Sequence, residues 1–297
     1  MSETAANLSR KIGSAGDLQS VVRSMKALAA SSVGQYEKSV RALADYYRTV
    51  ELGLVACLRE SEPAGLIAQR GQPSGSRSID AVVFGSDQGL VGQFNDVLAD
   101  HAIRTLAGLP GKALVWAVGE RVHARLKDAG LAVAGVYAVP NSVRGITPLV
   151  GEILVQSEAR RGEGEIVELQ LFYNRPTSAA VYEPISQRLL PLDESWRRGL
   201  AQQAWPAKNL PEVIGGGIAT VRALIREYLF ISLFRACAES LASENASRLV
   251  AMQRADKNIE ELLEDLHKTF HRLRQSSIDE ELFDVVSGFD ALSGGRH

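Results

Sequence analysis

The stretch Asn258-Ile259-Glu260-Glu261-Leu262-Leu263-Glu264-Asp265-Leu266-His267-Lys268-Thr269-Phe270-His271-Arg272-Leu273-Arg274-Gln275-Ser276-Ser277 decides the architecture. Ile259, Leu263, Leu266, Phe270, Leu273 and Ser277 step alternately by four and three, which keeps one stripe on one side of a helix over several heptads. After Ser277 the stripe restarts one residue later as Ile278, Leu282, Val285 and Phe289, a slip that locally changes supercoil winding. From Ile218 to Ser287 there is neither glycine nor proline. Unbroken, such a helix would run roughly 100 Å at 1.5 Å per residue.

The N-terminal end carries a matching seam: Val33, Tyr36, Val40, Leu43, Tyr47, Val50, Leu54 and Cys57, with Val22, Met25 and Ala29 continuing it after a slip. All ten prolines fall between Pro63 and Pro211. Proline removes a helix N–H and clashes with the preceding turn, so two long proline-free ends flanking a proline-bearing middle read as helix, mixed domain, helix. The expected divisions are an N-terminal helix over 1–62, a central α/β domain over 63–210 and a C-terminal helix over 211–297. Two heptad helices from opposite ends of a chain pair antiparallel if the middle returns the chain near its exit. Periodicity alone does not separate this coiled coil from a helical bundle inside a compact fold.

The middle alternates strand and helix signals. Apolar runs at 79–84, 113–118 and 131–139 are separated by helical stretches. Thr147 to Arg161 reads as a helix with Thr147 as N-cap and Pro148 at the first position. Glu165 to Tyr173 alternates as a strand, with 179–182 as its expected neighbour, and 63–78, rich in glycine and serine, reads as a loop. This order predicts a mostly parallel sheet covered by helices.

The tempting chemical motif is Gly85-Ser86-Asp87-Gln88-Gly89-Leu90-Val91-Gly92-Gln93-Phe94-Asn95, a glycine-bearing loop between strand and helix. Such loops cradle phosphates. The spacing here is GxxxGxxG, neither GxGxxG nor a P-loop, and it equally suits a tight turn. GxSxG is absent. Glu260, Glu261, Glu264 and Asp265 have the pattern of a solvated helix face, and His267 and His271 lack a third ligand or the glutamate of HExxH. Cys57 and Cys237 make no disulfide framework in 297 residues. A net charge of −2 gives no footprint for nucleic acid or lipid. The N-terminus has no apolar signal core and no 18-residue apolar run occurs, so the expectation is a cytosolic or partner-bound protein.

The segment Glu239-Ser240-Leu241-Ala242-Ser243-Glu244-Asn245-Ala246-Ser247-Arg248-Leu249-Val250-Ala251-Met252 closely resembles the signature of the gamma-subunit family of F-type ATP synthases. Arg274-Gln275-Ser276-Ser277-Ile278 resembles the family's RQAAIT-type ending. Ser24-Met25-Lys26 with Ala29-Ala30-Ser31 looks like its opening helix, Ser86 to Asn95 like its SDRGLCGGFN-type loop, and Tyr173-Asn174-Arg175 like its YNK/YNR strand end. The chain departs from the pattern at Gln88, where arginine is usual, at Val91, where cysteine is common, and at Asp279, where threonine is typical. The divergence fits either a housekeeping enzyme or the sodium-type N-ATPase.

The resemblance implies an α/β fold with a Rossmann-like central domain plus a long antiparallel coiled coil of the terminal helices. It implies a rotor shaft inside an alpha3beta3 ring, coupling rotation of the membrane c-ring to the beta subunits' nucleotide sites. The alpha and beta subunits, the epsilon subunit and the c-ring are the implied partners, on the cytoplasmic face of a bacterial plasma membrane. No catalytic residue, cofactor or metal is implied for the chain itself. Ring contacts are implied for Met25, Lys26, Arg248, Arg274 and Gln275, and an apolar bearing for Val286 and Phe289.

Overall fold

A computed structural model describes residues 4–60, 78–162, 167–178, 181–192, 194–202, 205–209 and 217–293. The elements are helices α1 (Ala5–Glu60), α2 (Phe94–Ala107), α3 (Glu120–Asp128), α4 (Val143–Gly162), α5 (Glu194–Ala201) and α6 (Gly217–Ser293), with strands β1 (Ser78–Phe84), β2 (Lys112–Val118), β3 (Val133–Tyr137), β4 (Val167–Arg175) and β5 (Glu183–Leu190). The proline-free ends thus form helices of 56 and 77 residues. By packing, the chain divides into a larger unit, Ala29–Arg248, and a smaller one, Met1–Leu28 with Leu249–His297. Segments of α1 and α6 contribute to each.

The larger unit is built on one sheet of order β3-β2-β1-β4-β5. β1 pairs parallel with β2 and β4, β2 parallel with β3, and β5 closes the far edge antiparallel to β4. β1 is buried along its whole length, as a central strand covered on both faces must be. Its period-two alternation sorts the core. Ile79, Ala81 and Val83 join Leu98, Ala102, Val122, Leu126 and Phe172 on one face. Val82 and Phe84 join Ile146, Val150 and Ile153 of α4 and Leu54, Tyr228 and Leu233 of the long helices on the other. Asp80 lies on that second face, 1% exposed at its side chain, with the Arg160 guanidinium 2.7 Å away.

Within the larger unit the long helices run antiparallel. Tyr46 Oη donates to Glu227 at 2.9 Å, Tyr47 and Tyr228 have ring centroids 5.7 Å apart, and Gly53 lies against Leu224. From 46–47 to 53 on α1, the facing positions on α6 move back from 227–228 to 224. Tyr36, Val50, Leu54 and Cys57 are buried, and Val40, Leu43 and Tyr47 pack against the same core. The periodicity that left coiled coil and bundle open therefore serves here as a helix pair packed on a sheet.

Two local expectations are corrected. α4 starts at Val143, so Pro148 is its sixth residue rather than its first. The sixth position lies beyond the four N-terminal N–H groups that lack intrahelical partners, so Pro148 costs the helix one bond, the one the Arg144 carbonyl would accept. The strand beside β4 is Glu183–Leu190 rather than 179–182. Pro184 hid it, yet proline suits an edge strand, where an N–H can be spared. Of the 63–78 loop, residues 63–77 lie outside the described residues, and Ser78 is the first residue of β1 rather than loop.

Candidate functional site

The sheet order turns back between β1 and β4, and the carboxyl ends of these strands form the crevice where doubly wound folds hold ligands. Here α6 lies across it. Ser240 Oγ donates to the Phe84 carbonyl at 2.6 Å, where β1 ends, and Ser243 Oγ donates to the Asn174 carbonyl at 3.0 Å, near the end of β4. Ser247 Oγ donates to the Val91 carbonyl in the following loop. The steps of three and four put these hydroxyls on one helix face. Ala236, buried one turn before Ser240 on the same face, lets the helix backbone approach closely.

The glycine loop turns its polar groups inward. Ser86 N donates to Asn95 Oδ1 at 3.0 Å, Asn95 Nδ2 donates to Ser86 Oγ at 2.8 Å, and Ser86 Oγ donates to the Gln88 carbonyl at 3.0 Å. The N-terminus of α3, which would attract a phosphate, is met by the chain's own carboxylate. Asp87 Oδ1 accepts from Glu120 N at 3.0 Å and Oδ2 from Val139 N at 2.8 Å. Gly85 is required by contact, since a Cβ there would stand 2.3 Å from Val122 Cβ. Gly119 is required twice over: its φ is +109°, and a Cβ would lie 2.7 Å from the Ser86 backbone.

Arg248 belongs to this unit. Its Nη2 donates to Glu244 Oε1 at 2.6 Å, with 13% and 7% of the two side chains exposed. Burial raises the Glu244 carboxyl above its ordinary range against the pull of Arg248, and Asp87 adds repulsion. The pair borders a cavity of about 140 Å³ with Tyr36, Asp87, Gln88 and Asn141. Earlier on α6, Arg235 Nε donates to Glu239 at 2.7 Å. Burial and the nearby Glu239 push the Tyr173 phenol up to about 12.

The smaller unit holds the other candidates. Its core is thin: Ala15, Val22, Met252 and Ile259 are buried, with Met25, Ala251, Ala255 and Leu263 packed against them. Met25 is thus partly a seam residue. Lys26 Nζ donates to Asp256 Oδ2 at 2.6 Å, and Arg23 Nε donates to Oδ1 at 3.1 Å. The ion pairs, Lys26 first, hold the Asp256 carboxyl below its usual value. Arg274 and Gln275 are exposed, and every described residue from 274 to 287 is exposed as well. Val286 is 50% exposed, beside Phe283 at 72% and Val285 at 70%. The Phe289 side chain lies outside the described residues. Sequence reasoning missed Asp256 and the docking role of Ser240, Ser243 and Ser247. The signal for the serines was their spacing, three small hydroxyls on one stripe of the helix.

Among the described residues, none of the helices is long and apolar enough to cross a membrane, and no group of three or more His, Cys, Asp or Glu side chains is arranged to hold a metal.

The comparisons cover nearly the whole chain. The family model described as ATP synthase matches residues 4–292. The ATP synthase gamma chain of Salinibacter ruber is 29% identical, over 96% of this chain and 97% of the relative. That of Clostridium pasteurianum is 27% identical over the same shares. Among solved structures, a chain of the Euglena gracilis mitochondrial ATP synthase, OSCP/F1/c-ring in rotational state 3, aligns with a TM-score of 0.61 at 16% identity, over 98% of this chain and 95% of that one. A chain of the rotor of the same synthase in rotational state 1 aligns with a TM-score of 0.57 at 17% identity, over 92% and 98%. The sheet order, the two long terminal helices and the end-to-end family match agree, and the chain belongs to the ATP synthase family, among its gamma chains.

Proposed function

We propose that this chain is the rotor shaft of a rotary F-type ATP synthase, turning inside a ring of three alpha and three beta subunits and joined below to the epsilon subunit and the membrane c-ring. One observation carries the reading. The described tip of α6, residues 274–287, is exposed throughout, yet it bears Ile278, Leu282, Phe283, Val285 and Val286. A helix exposing that much apolar surface needs a sheath. The names of the neighbours, a rotor and an F1/c-ring assembly, supply one of matching kind.

Such a shaft works by differential contact. Each beta subunit meets a different side of it, and a contact shifts a site's equilibrium only by the difference in its affinity for the site's conformations. Arg274 and Gln275, exposed and polar just before the apolar tip, suit hydrogen bonds to a beta loop. Met25 and Lys26 suit an acidic beta lever, with Lys26 supplying the complementary charge. Val286 and Phe289 suit the apolar bearing. Arg248 acts differently: its buried pair with Glu244 fits packing of α6 rather than direct ring contact.

The chain's own part in catalysis is mechanical. The crevice that holds nucleotides in related folds is spanned by Ser240 and Ser243, and the α3 N-terminus is engaged by Asp87. This supports a nucleotide-free domain serving as a platform for the epsilon subunit and c-ring. The chain then stands as a peripheral subunit on the cytoplasmic face of a bacterial plasma membrane.

The test is Arg274→Ala with Gln275→Ala in the reconstituted synthase. Loss of ATP-driven ion movement, with the free chain's stability unchanged, is the expected result. Wild-type synthesis and hydrolysis in that variant would refute the assigned contact.

A further inference from the structure

The smaller unit contains a polar layer at heptad seam positions. On α1, Leu8, Ile12, Ala15, Gln19, Val22 and Lys26 step by four and three without a slip. Leu8, Ala15 and Val22 are buried, while Ile12, Gln19 and Lys26 are half-buried. On α6 the seam runs Met252, Asp256, Ile259 and Leu263, again by four, three and four. Asp256 therefore occupies a seam position between two buried apolar residues, and its side chain is 14% exposed. Three donors of α1 converge on it: Lys26 Nζ at 2.6 Å, Arg23 Nε at 3.1 Å and Gln19 Nε2 at 3.3 Å.

Around this layer three small residues, Ala15, Ala251 and Ala255, are interspersed with Val22, Met25, Met252, Ile259 and Leu263. Small side chains bury little area and interlock poorly, so they resist sliding by a heptad only weakly. A polar residue at a coiled-coil seam position costs stability but rejects registers in which it would face an apolar partner. A one-heptad slip moves Lys26 about 10 Å along the axis, out of reach of Asp256.

We propose that Asp256 is a positioning residue, the register pin of the helix pair, which together with Lys26, Arg23 and Gln19 fixes where Met25 and Lys26 stand on the shaft. The pin itself rests only on the helix pair. Its consequence for coupling rests on the rotor reading above.

The experiment uses the full chain with spin labels at Leu18→Cys and Leu262→Cys, both exposed positions in the smaller unit. The native thiols Cys57 and Cys237 are buried and stay in place. The chain with Lys26 and Asp256 intact gives one narrow distance distribution. Asp256→Asn broadens it. Lys26→Leu with Asp256→Leu adds a second, resolved population, the signature of an axial slip of about 10 Å, one heptad. The double variant keeps or raises the thermal midpoint, because apolar replacement of a paired layer is tolerated. A single unshifted distance in both variants overturns the pin. If the double variant fails to fold, Asp256→Asn with Lys26→Gln, which keeps the layer polar without charge, replaces it under the same criterion.

The same variants in the reconstituted synthase separate the two readings. A register-heterogeneous shaft lowers ions moved per ATP hydrolysed, while the KM for ATP holds. Shifted distances with wild-type coupling leave the pin standing and overturn its role in coupling. Unshifted distances with lost coupling overturn the pin and leave Lys26 as a direct ring contact.

Discussion

The two units of this chain use the same long helices in opposite ways. In the larger one, α1 and α6 bring Tyr36, Leu54, Tyr228, Leu233 and Phe234 to a sheet already packed by Phe84 and Phe172, and their polar groups are spent on the domain itself. In the smaller one the buried seam is thin, an ionic layer crosses it, and large apolar side chains face outward. The first arrangement secures a fold. The second gives up burial to present a surface. A substitution should therefore act on stability in the larger unit and on assembly and coupling in the smaller.

The sharpest way to break that contrast is through the core. Phe84→Ala removes a fully buried ring and should cost about 3–5 kcal/mol, read as a lowered denaturation midpoint with little refolded protein. A loss of coupling without a loss of stability would contradict the division of labour. Next comes the α6 docking face. Ser240→Ala, Ser243→Ala and Ser247→Ala should each cost about 1 kcal/mol by removing a buried hydrogen bond, measured by urea unfolding of the free chain. Additivity across the three would show separate hydrogen bonds, and a larger joint loss would show a cooperative seam.

A smaller effect should appear in the pH dependence. The folded-state pKa of Glu244 is raised by burial above its ordinary 4.5. Across the window from that value to the raised one, the folded chain holds a proton that the unfolded chain releases. Stability contributed by the group is full below the window and falls as pH rises through it. Glu244→Gln should flatten this part of the stability curve. An unchanged curve would mean the carboxyl is not held protonated.

The smallest stability effect belongs to the tip. Phe283→Ser with Val285→Ser should change the free chain by within about 0.5 kcal/mol and reduce its capture by an alpha-beta ring. A large destabilisation would mean that the tip packs on its own chain.

Much of this was legible in the sequence. Proline placement located both long helices, because proline's cost in a helix interior is intrinsic to the residue and independent of context. Alternation of strand and helix signals gave the parallel sheet. β5 escaped because Pro184 interrupts a strand pattern, and an edge strand tolerates that interruption. The start of α4 escaped because proline's preference for the first helical position points to Pro148, whereas the helix begins at Val143 and gives up one bond at the proline. The role of Asp256 was invisible for another reason. A single acidic residue in a charged helix has no local mark of being at a seam, and only the register against α1 brings Gln19, Arg23 and Lys26 to it. The glycine loop showed the same limit: its spacing fitted both a tight turn and a weak phosphate cradle, and the long-range bonds from Ser240, Ser243 and Ser247 are what fill the crevice beside it.

The most direct test of the account is reconstitution. The chain is mixed with its cognate alpha and beta subunits, complexes are isolated by size, and steady-state ATP hydrolysis is measured with and without it. The account predicts one copy per alpha3beta3 ring and a clear gain in sustained turnover. Failure to associate, or association with no change in turnover, would contradict it.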